Sequence, residues 1–314
     1  MGDSTPVIYL LAGVTASGKS EHALRWAQQM NGEILSCDSI AVYRGMDVGS
    51  AKPTSEDRSK VIHHGIDVVD ASELFSVLDY SLYAREVIDS AIDAKKTILI
   101  TGGSGFYLQS FLSPVVDRVE VSLEVRQEVK QVNERQGLQG MLTILKKLNP
   151  HGLGELDVLN PRRVMRGLER CLTSGKTLLE LKKEFEEQEK PYAGFEKRVL
   201  WLDRGNEEIE SRIAKRTEQM LKNGLLSEAE KLVSSGIYSN PSASNSIGYR
   251  ECIACLKGEI TEIDLPKEIN NSTRRLVSKQ RKWFRKHLGE NASFLISDTR
   301  ELGEPSEWNW VRHS

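Results

Sequence analysis

Gly13 to Ser20 read Gly-Val-Thr-Ala-Ser-Gly-Lys-Ser and constrain the fold more than any other stretch. They match the spacing G-x-x-x-x-G-K-[ST], between the apolar run VIYLLA at residues 7–12 and a helical pattern that continues to about residue 30. A buried strand, a tight glycine turn and a helix N-terminus are what this spacing needs to curl backbone N–H groups around a phosphate. Gly13 and Gly18 permit the curl, Lys19 supplies a point charge, and the Ser20 hydroxyl is a candidate ligand for Mg2+. Val14, Thr15, Ala16 and Ser17 complete the expected diphosphate-binding loop.

The text that follows continues the same architecture. EIL at 33–35 reads as a second strand ending near Cys37 and Asp38, and TILIT at 97–101 as a third ending in Gly102-Gly103. Between them a helix is expected over 76–95, with Leu78, Leu82, Ala84 and Val87 or Ile88 on one face. Strands alternating with helices predict an α/β fold, a parallel P-loop sheet with helices on both faces. After Pro114 the pattern turns helical and charged, and strand language returns only at KRVLWLD, 197–203. The expected organisation is a discontinuous core, 1–114 and 197–314, interrupted by an α-helical insertion, 115–196. Further helices are expected at 206–235 and 265–288, and a late strand at 293–297.

Composition narrows the function classes. The net charge is −2, so attraction to nucleic acid has to come from local patches. No apolar run is long enough to span a membrane, and Asp3 stands where a targeting peptide would be basic. Gly2 reads as part of an initiator dipeptide, since nothing basic follows it. Four cysteines suit a reducing compartment, so a cytoplasmic protein is expected. Cys252-x-x-Cys255 lacks two further well-spaced ligands and reads as part of an apolar helix face.

The loop alone leaves the chemistry open. The third strand ends in TGG, with no carboxylate to serve a phosphoryl-transfer site. A phosphate cradle grips a diphosphate whether that group is transferred or leaves, so a small-molecule kinase or an adenylate prenyltransferase fits, and a non-catalytic RNA-binding module stays open beside them. Asp38, at the carboxyl end of the second strand, lies where open α/β sheets bind ligands. It reads either as a base that accepts a proton from a nucleophile or as a helix cap. Two basic stretches stand out: RRLVSKQRKWFRK at 274–286, with an apolar stripe of Leu276, Val277, Trp283 and Phe284, and LNPRRVMRGLERC at 159–171, where Asn160-Pro161 marks a helix start. Arg163, Arg166 and Arg170 fall on one face of that second helix.

The run from Asp38 to Pro53 resembles the signature of tRNA dimethylallyltransferases (tRNA isopentenyltransferases). Asp38, Ser39, Tyr43, Arg44, Gly45, Met46, Asp47, Gly49, Ala51, Lys52 and Pro53 are in place. HHGIDVVD at 63–70, GGSGFYL at 102–108, SIGYRE at 246–251 and TRRLVSKQRKWFR at 273–285 follow in the family's order. The chain departs from the family at Val14, where proline is usual, at Ser278-Lys279, in place of a Lys-Arg pair, and just before Ile247-Gly248-Tyr249, where a basic residue is often found. The resemblance implies transfer of a dimethylallyl group from its diphosphate to the exocyclic N6 amine of the adenine 3′-adjacent to the anticodon, with the diphosphate leaving. It implies Asp38, Thr15 and Arg216 as the catalytic set, Mg2+ held by Ser20, and Ser39, Ile40 and Ala41 near a flipped base. It further implies tRNA contacts at Asp38, Ser104, Arg126, Arg162, Arg163, Arg166, Asn245, Gly248, Tyr249, Arg250, Lys279 and Arg281. The implied partners are the tRNA anticodon stem-loop and dimethylallyl diphosphate; a monomer acting away from membranes is expected.

Overall fold

A computed structural model of the chain describes residues 5–297 and 302–313; Gly2 and Asp3 lie outside them. The strands are β1 (Val7–Gly13), β2 (Gly32–Cys37), β3 (Tyr43–Arg44), β4 (His63–His64), β5 (Val69–Asp70), β6 (Thr97–Gly102), β7 (Glu196–Arg204), β8 (Ser293–Ile296) and β9 (Val311–His313). The helices are α1 (Lys19–Gln29), α2 (Ser55–Lys60), α3 (Val77–Asp93), α4 (Gly105–Gln109), α5 (Leu123–Leu148), α6 (Pro161–Ser174), α7 (Leu178–Glu186), α8 (Asn206–Lys222), α9 (Leu225–Ser234), α10 (Pro241–Ser244), α11 (Tyr249–Leu256) and α12 (Leu265–His287). The chain divides into two compact units, one of residues 1–113 and 192–314, the other of 114–191. No helix among the described residues is long and apolar enough to cross a membrane.

The first unit is built on a sheet of order β4-β2-β6-β1-β7-β8, with β9 also pairing with β7. Its pairings are parallel except that between β7 and β9. β1 is central because it is apolar on both faces. Ile8, Leu10 and Ala12 pack into one core with Leu35, Ile100, Trp201, Tyr80 of α3 and Phe284 of α12. Leu11 alternates to the other side and packs with Leu99, Leu202 and Ala23 and Trp26 of α1. Helices therefore cover both faces, and each fully buried large side chain contributes roughly 1.5–3 kcal/mol.

Some details differ from the sequence expectation. The buried face of α3 is Tyr80, Ala84, Val87, Ile88 and Ala91, whereas Leu78 and Leu82 are exposed. Tyr80 displaces the leucines because its ring stacks on Tyr107 and its hydroxyl donates to the Ser36 carbonyl. The helix expected over 206–235 is two helices, broken where Gly224 takes a φ of 90°. The strand β9, absent from the reading, lies against Lys197–Val199 of β7.

The second unit has its own core of Val129, Met141, Leu145, Val164, Leu168 and Leu181. Asn160 caps α6 as its position suggests, its side chain accepting from the N–H groups of Arg162 and Arg163, with Pro161 in the first turn.

Candidate active site

The carboxyl ends of β1, β2, β6 and β7 bring four loops to one side of the sheet, around the point where the chain leaves β1 for opposite halves. A cavity of about 760 Å3 opens there within the first unit, and Thr15, Lys19, Ser20, Asp38, Ser104 and Arg216 line it. Asp38 is the only carboxylate among the described residues that do so.

The phosphate loop is held from outside by its neighbours. Ala16 takes a φ of 63° and Gly18 one of 92°, left-handed conformations that curl the backbone. The Arg212 side chain donates to the Ala16 carbonyl at 2.8 Å, and Arg204 to the Ser17 carbonyl at 2.9 Å. Val14 N–H donates to the Leu202 carbonyl, and Thr15 N–H to Oε1 of Gln280 at 2.9 Å. Gly13 is required by a close approach, because a Cβ there would stand 2.8 Å from Ser17 Oγ. The side chains of Lys19 and Arg216 make no hydrogen bond or ion pair among the described residues. Burial, and then the charge of Arg216, lower the Lys19 pKa from 10.5 to about 8, while Asp38 pulls it the other way. Burial also lowers the Arg216 pKa, with Asp38 opposing. Two under-compensated cations facing one cavity make a site for an anion.

No helix follows Asp38, so it braces a turn rather than capping a helix, and its two oxygens are placed differently. Oδ1 accepts from the N–H groups of Ile40 at 2.8 Å and Ala41 at 3.3 Å, which fixes the turn after β2. Oδ2 makes no hydrogen bond among the described residues, so the carboxylate is oriented and still has an acceptor to offer. Ser104, after β6, locks the same turn: its Oγ accepts from Ser39 N–H at 2.9 Å and donates to Ser39 Oγ at 3.1 Å. Gly102 is obligatory there, since a Cβ would fall 2.0 Å from the Cys37 carbonyl oxygen.

Most of the signature between Tyr43 and Pro53 anchors this loop. The Lys52 ammonium is buried among Asp47 at 2.7 Å, Asp67 at 2.6 Å and the Tyr43 carbonyl at 2.7 Å. Glu228, which the sequence reading passed over, accepts from the N–H groups of Asp47, Val48 and Gly49 and from the Tyr249 hydroxyl at 2.6 Å.

The structure sorts the expected tRNA contacts. Asp38, Ser39, Ile40, Ala41, Ser104, Asn245, Gly248 and Lys279 line the cavity. Tyr249 is buried against Gly49 and Glu228. Arg250 is bound to Glu251 and Ser272. Arg281 grips both oxygens of Asp203, at 2.8 and 2.9 Å, and donates to Asn206 and to the Arg204 carbonyl. These three stand outside the cavity lining, and each is engaged within the chain. On the second unit Arg126, Arg162, Arg163 and Arg166 are exposed, but Arg170 is paired with Asp117 and leaves the arginine face read from the sequence.

Sequence reasoning also missed Gln280, Trp283 and Phe106. Trp283 lies flat on the backbone at Gly105, where a Cβ would approach its ring to 2.8 Å. Phe106 borders the cavity with 70% of its surface exposed, a costly placement for a phenylalanine with no ligand. At the C-x-x-C, Cys252 is buried, burial raises both thiols above their usual range, and the described residues bring no cluster of three or more His, Cys, Asp or Glu together.

Residues 41–287 match the family model described as IPP transferase. The chain is 45% identical over 298 residues to a tRNA dimethylallyltransferase of Opitutus terrae, covering 95% of this chain and 96% of that one. Among solved structures, a tRNA isopentenylpyrophosphate transferase of Bacillus halodurans superposes with a TM-score of 0.66 at 29% identity, covering 93% and 90% of the two chains. A eukaryotic dimethylallyltransferase acting on tRNA superposes with a TM-score of 0.78 at 23% identity, covering 97% and 76%, a likeness of fold.

Proposed function

Because the chain belongs to the IPP transferase family, we propose how the cavity of its sheet unit carries out that family's reaction. The reaction moves a dimethylallyl group from dimethylallyl diphosphate to the exocyclic N6 amine of a tRNA adenine, here read as the one 3′-adjacent to the anticodon, and releases diphosphate. One observation carries the assignment of residues: the phosphate loop and the free oxygen of Asp38 open onto the same cavity.

The adenine amine is a weak nucleophile, because its lone pair is delocalised into the ring. Asp38 Oδ2 accepts the N6 proton as the new C–N bond forms, while Oδ1 stays tied to Ile40 and Ala41 and prevents the carboxylate from turning away. As the C–O bond of the donor breaks, charge grows on the diphosphate. The N–H groups of Ala16, Gly18, Lys19 and Ser20, together with the Lys19 and Arg216 side chains, receive it, with Thr15 at the same wall. Magnesium fits this donor set only as a shared ion. Ser20 is exposed in the first turn of α1 and offers one oxygen, and the diphosphate would supply others. Bound there, the ion neutralises part of the leaving group's charge.

An adenine reaches the cavity only by leaving the stack of its loop. Ser39, Ile40, Ala41, Asn245, Gly248 and Lys279 receive it, and Phe106 and Trp283 supply ring faces for stacking at the wall. Arg126, Arg162, Arg163 and Arg166 bind phosphates of the stem-loop. Every residue in the transfer comes from one chain, so a monomer suffices. Four free cysteines suit a reducing cytoplasm.

The test is incubation with unmodified tRNA and labelled dimethylallyl diphosphate, with AMP and ATP as controls. Label is expected in tRNA, on the N6 of that adenine. Label in AMP alone, or turnover of ATP alone, rejects the reading.

A further inference from the structure

We propose that Gln280 is a positioning residue of the transfer: its side-chain amide ties the phosphate loop to the turn that braces Asp38, so that leaving group and acceptor amine stay in register. The proposal rests on the prenyl-transfer reading above.

Gln280 sits in the apolar face of α12, between Val277 and Phe284, and only 8% of its surface is exposed. A primary amide in such a place is unfavourable unless both of its ends are bonded. Both are. Oε1 accepts from Thr15 N–H at 2.9 Å, and Nε2 donates to the Gly103 carbonyl at 3.0 Å. A backbone N–H only donates and a carbonyl only accepts, so the amide has one possible orientation. The bond is also tight: a Cβ on Gly103 would stand 2.5 Å from Gln280 Nε2.

The two groups bridged belong to the two halves of the chemistry. Thr15 is in the phosphate loop. Gly103 precedes Ser104, whose hydroxyl holds Ser39 and thereby the turn that orients Asp38. Neighbours fix the bridge itself. Lys279 lines the cavity, and Arg281 bolts α12 to Asp203 and Arg204 at the end of β7. A leucine at 280 would fill the same space and suit the apolar face, yet it would leave Thr15 N–H and Gly103 C=O unpaired. The amide therefore serves alignment, because transfer rates respond steeply to small displacements of the reacting groups.

The test measures kcat, KM for dimethylallyl diphosphate and KM for tRNA in Gln280→Leu, Gln280→Glu and Gly103→Ala. In Gln280→Leu, kcat is expected to fall on the order of 10- to 100-fold, with KM for tRNA within about threefold of wild type. In Gln280→Glu, a carboxylate faces the Gly103 carbonyl and the bound diphosphate at neutral pH, and kcat is expected to fall. Burial raises the glutamic acid above its usual value of about 4.3. Its protonated form both accepts from Thr15 and donates to Gly103, so activity relative to wild type is expected to recover as pH is lowered from 8 to about 5.5. Gly103→Ala pushes the amide aside without altering α12 and is expected to repeat the kcat loss, which keeps the test alive if Gln280→Leu does not fold. Wild-type kcat in Gln280→Leu or Gly103→Ala, or a Gln280→Glu profile parallel to wild type, overturns the proposal. A wild type that transfers nothing to tRNA overturns instead the functional reading beneath it.

Discussion

At the scale of single residues, Asp38 and Lys19 carry the sharpest expectations. Asp38→Asn preserves an oxygen for the Ile40 and Ala41 N–H groups and so preserves the turn, but removes the proton acceptor. Turnover is expected to fall by roughly two to four orders of magnitude, as for loss of a general base, with tRNA affinity changed far less. Single-turnover rates and filter-binding affinities separate the two, and near wild-type turnover would remove Asp38 from the mechanism. Lys19 supplies a pH dependence. Its pKa in the free protein is about 8, and a bound diphosphate favours the charged form, so the complex holds more protons than the free protein above that value. Affinity for dimethylallyl diphosphate is therefore expected to weaken as pH rises through about 8, by as much as about tenfold per unit. In Lys19→Arg the side chain stays charged across this range, and the decline is expected to vanish; a kcat/KM profile of that variant that still falls with the wild-type midpoint would assign the titration to another group.

At the scale of elements, what the sequence disclosed follows from what is local. The strand, glycine turn and helix of residues 7–29 were legible because their signals lie next to one another, and so was the cap of α6 at Asn160-Pro161. Partners far apart in sequence were not legible. Arg281 reads as a free cation in a basic helix until Asp203, in β7, takes it; Tyr249 is absorbed in the same way by Glu228, and Arg250 by Ser272. Gln280 did leave a trace: a glutamine in the apolar face of α12 breaks the helical pattern, and a polar residue at a core position asks for a partner. The α6 helix makes the element-scale prediction. Arg162, Arg163 and Arg166 are exposed at its N-terminal end, so replacing all three with alanine should leave far-UV circular dichroism unchanged. Binding of tRNA is expected to weaken, and the slope of log affinity against log salt to flatten by up to about three units if each meets a phosphate. Equal affinities and slopes for the triple variant and wild type would make these arginines a solvated face.

At the scale of the whole molecule, the two compact units have separate cores, and residues 114–191 form one of them. A chain carrying a short linker in place of that unit is expected to keep its sheet and its affinity for diphosphate while losing most of its affinity for tRNA. Calorimetry with diphosphate and tRNA titrations read this directly, and undiminished tRNA binding would deny the unit its role. The sheet's strand order has a consequence for biosynthesis. Val7 pairs with Glu196, so one edge of the central strand has no neighbour until about 190 more residues have been polymerised. At about 5–20 residues per second that interval lasts roughly 10–40 s. During it the emerging polypeptide carries an open, apolar template for intermolecular pairing, while residues 114–191, whose contacts are local, have time to condense by themselves. The nascent chain thus finishes its inserted part before its centre, and its hazardous period on the ribosome closes only when the strand at 196–204 arrives.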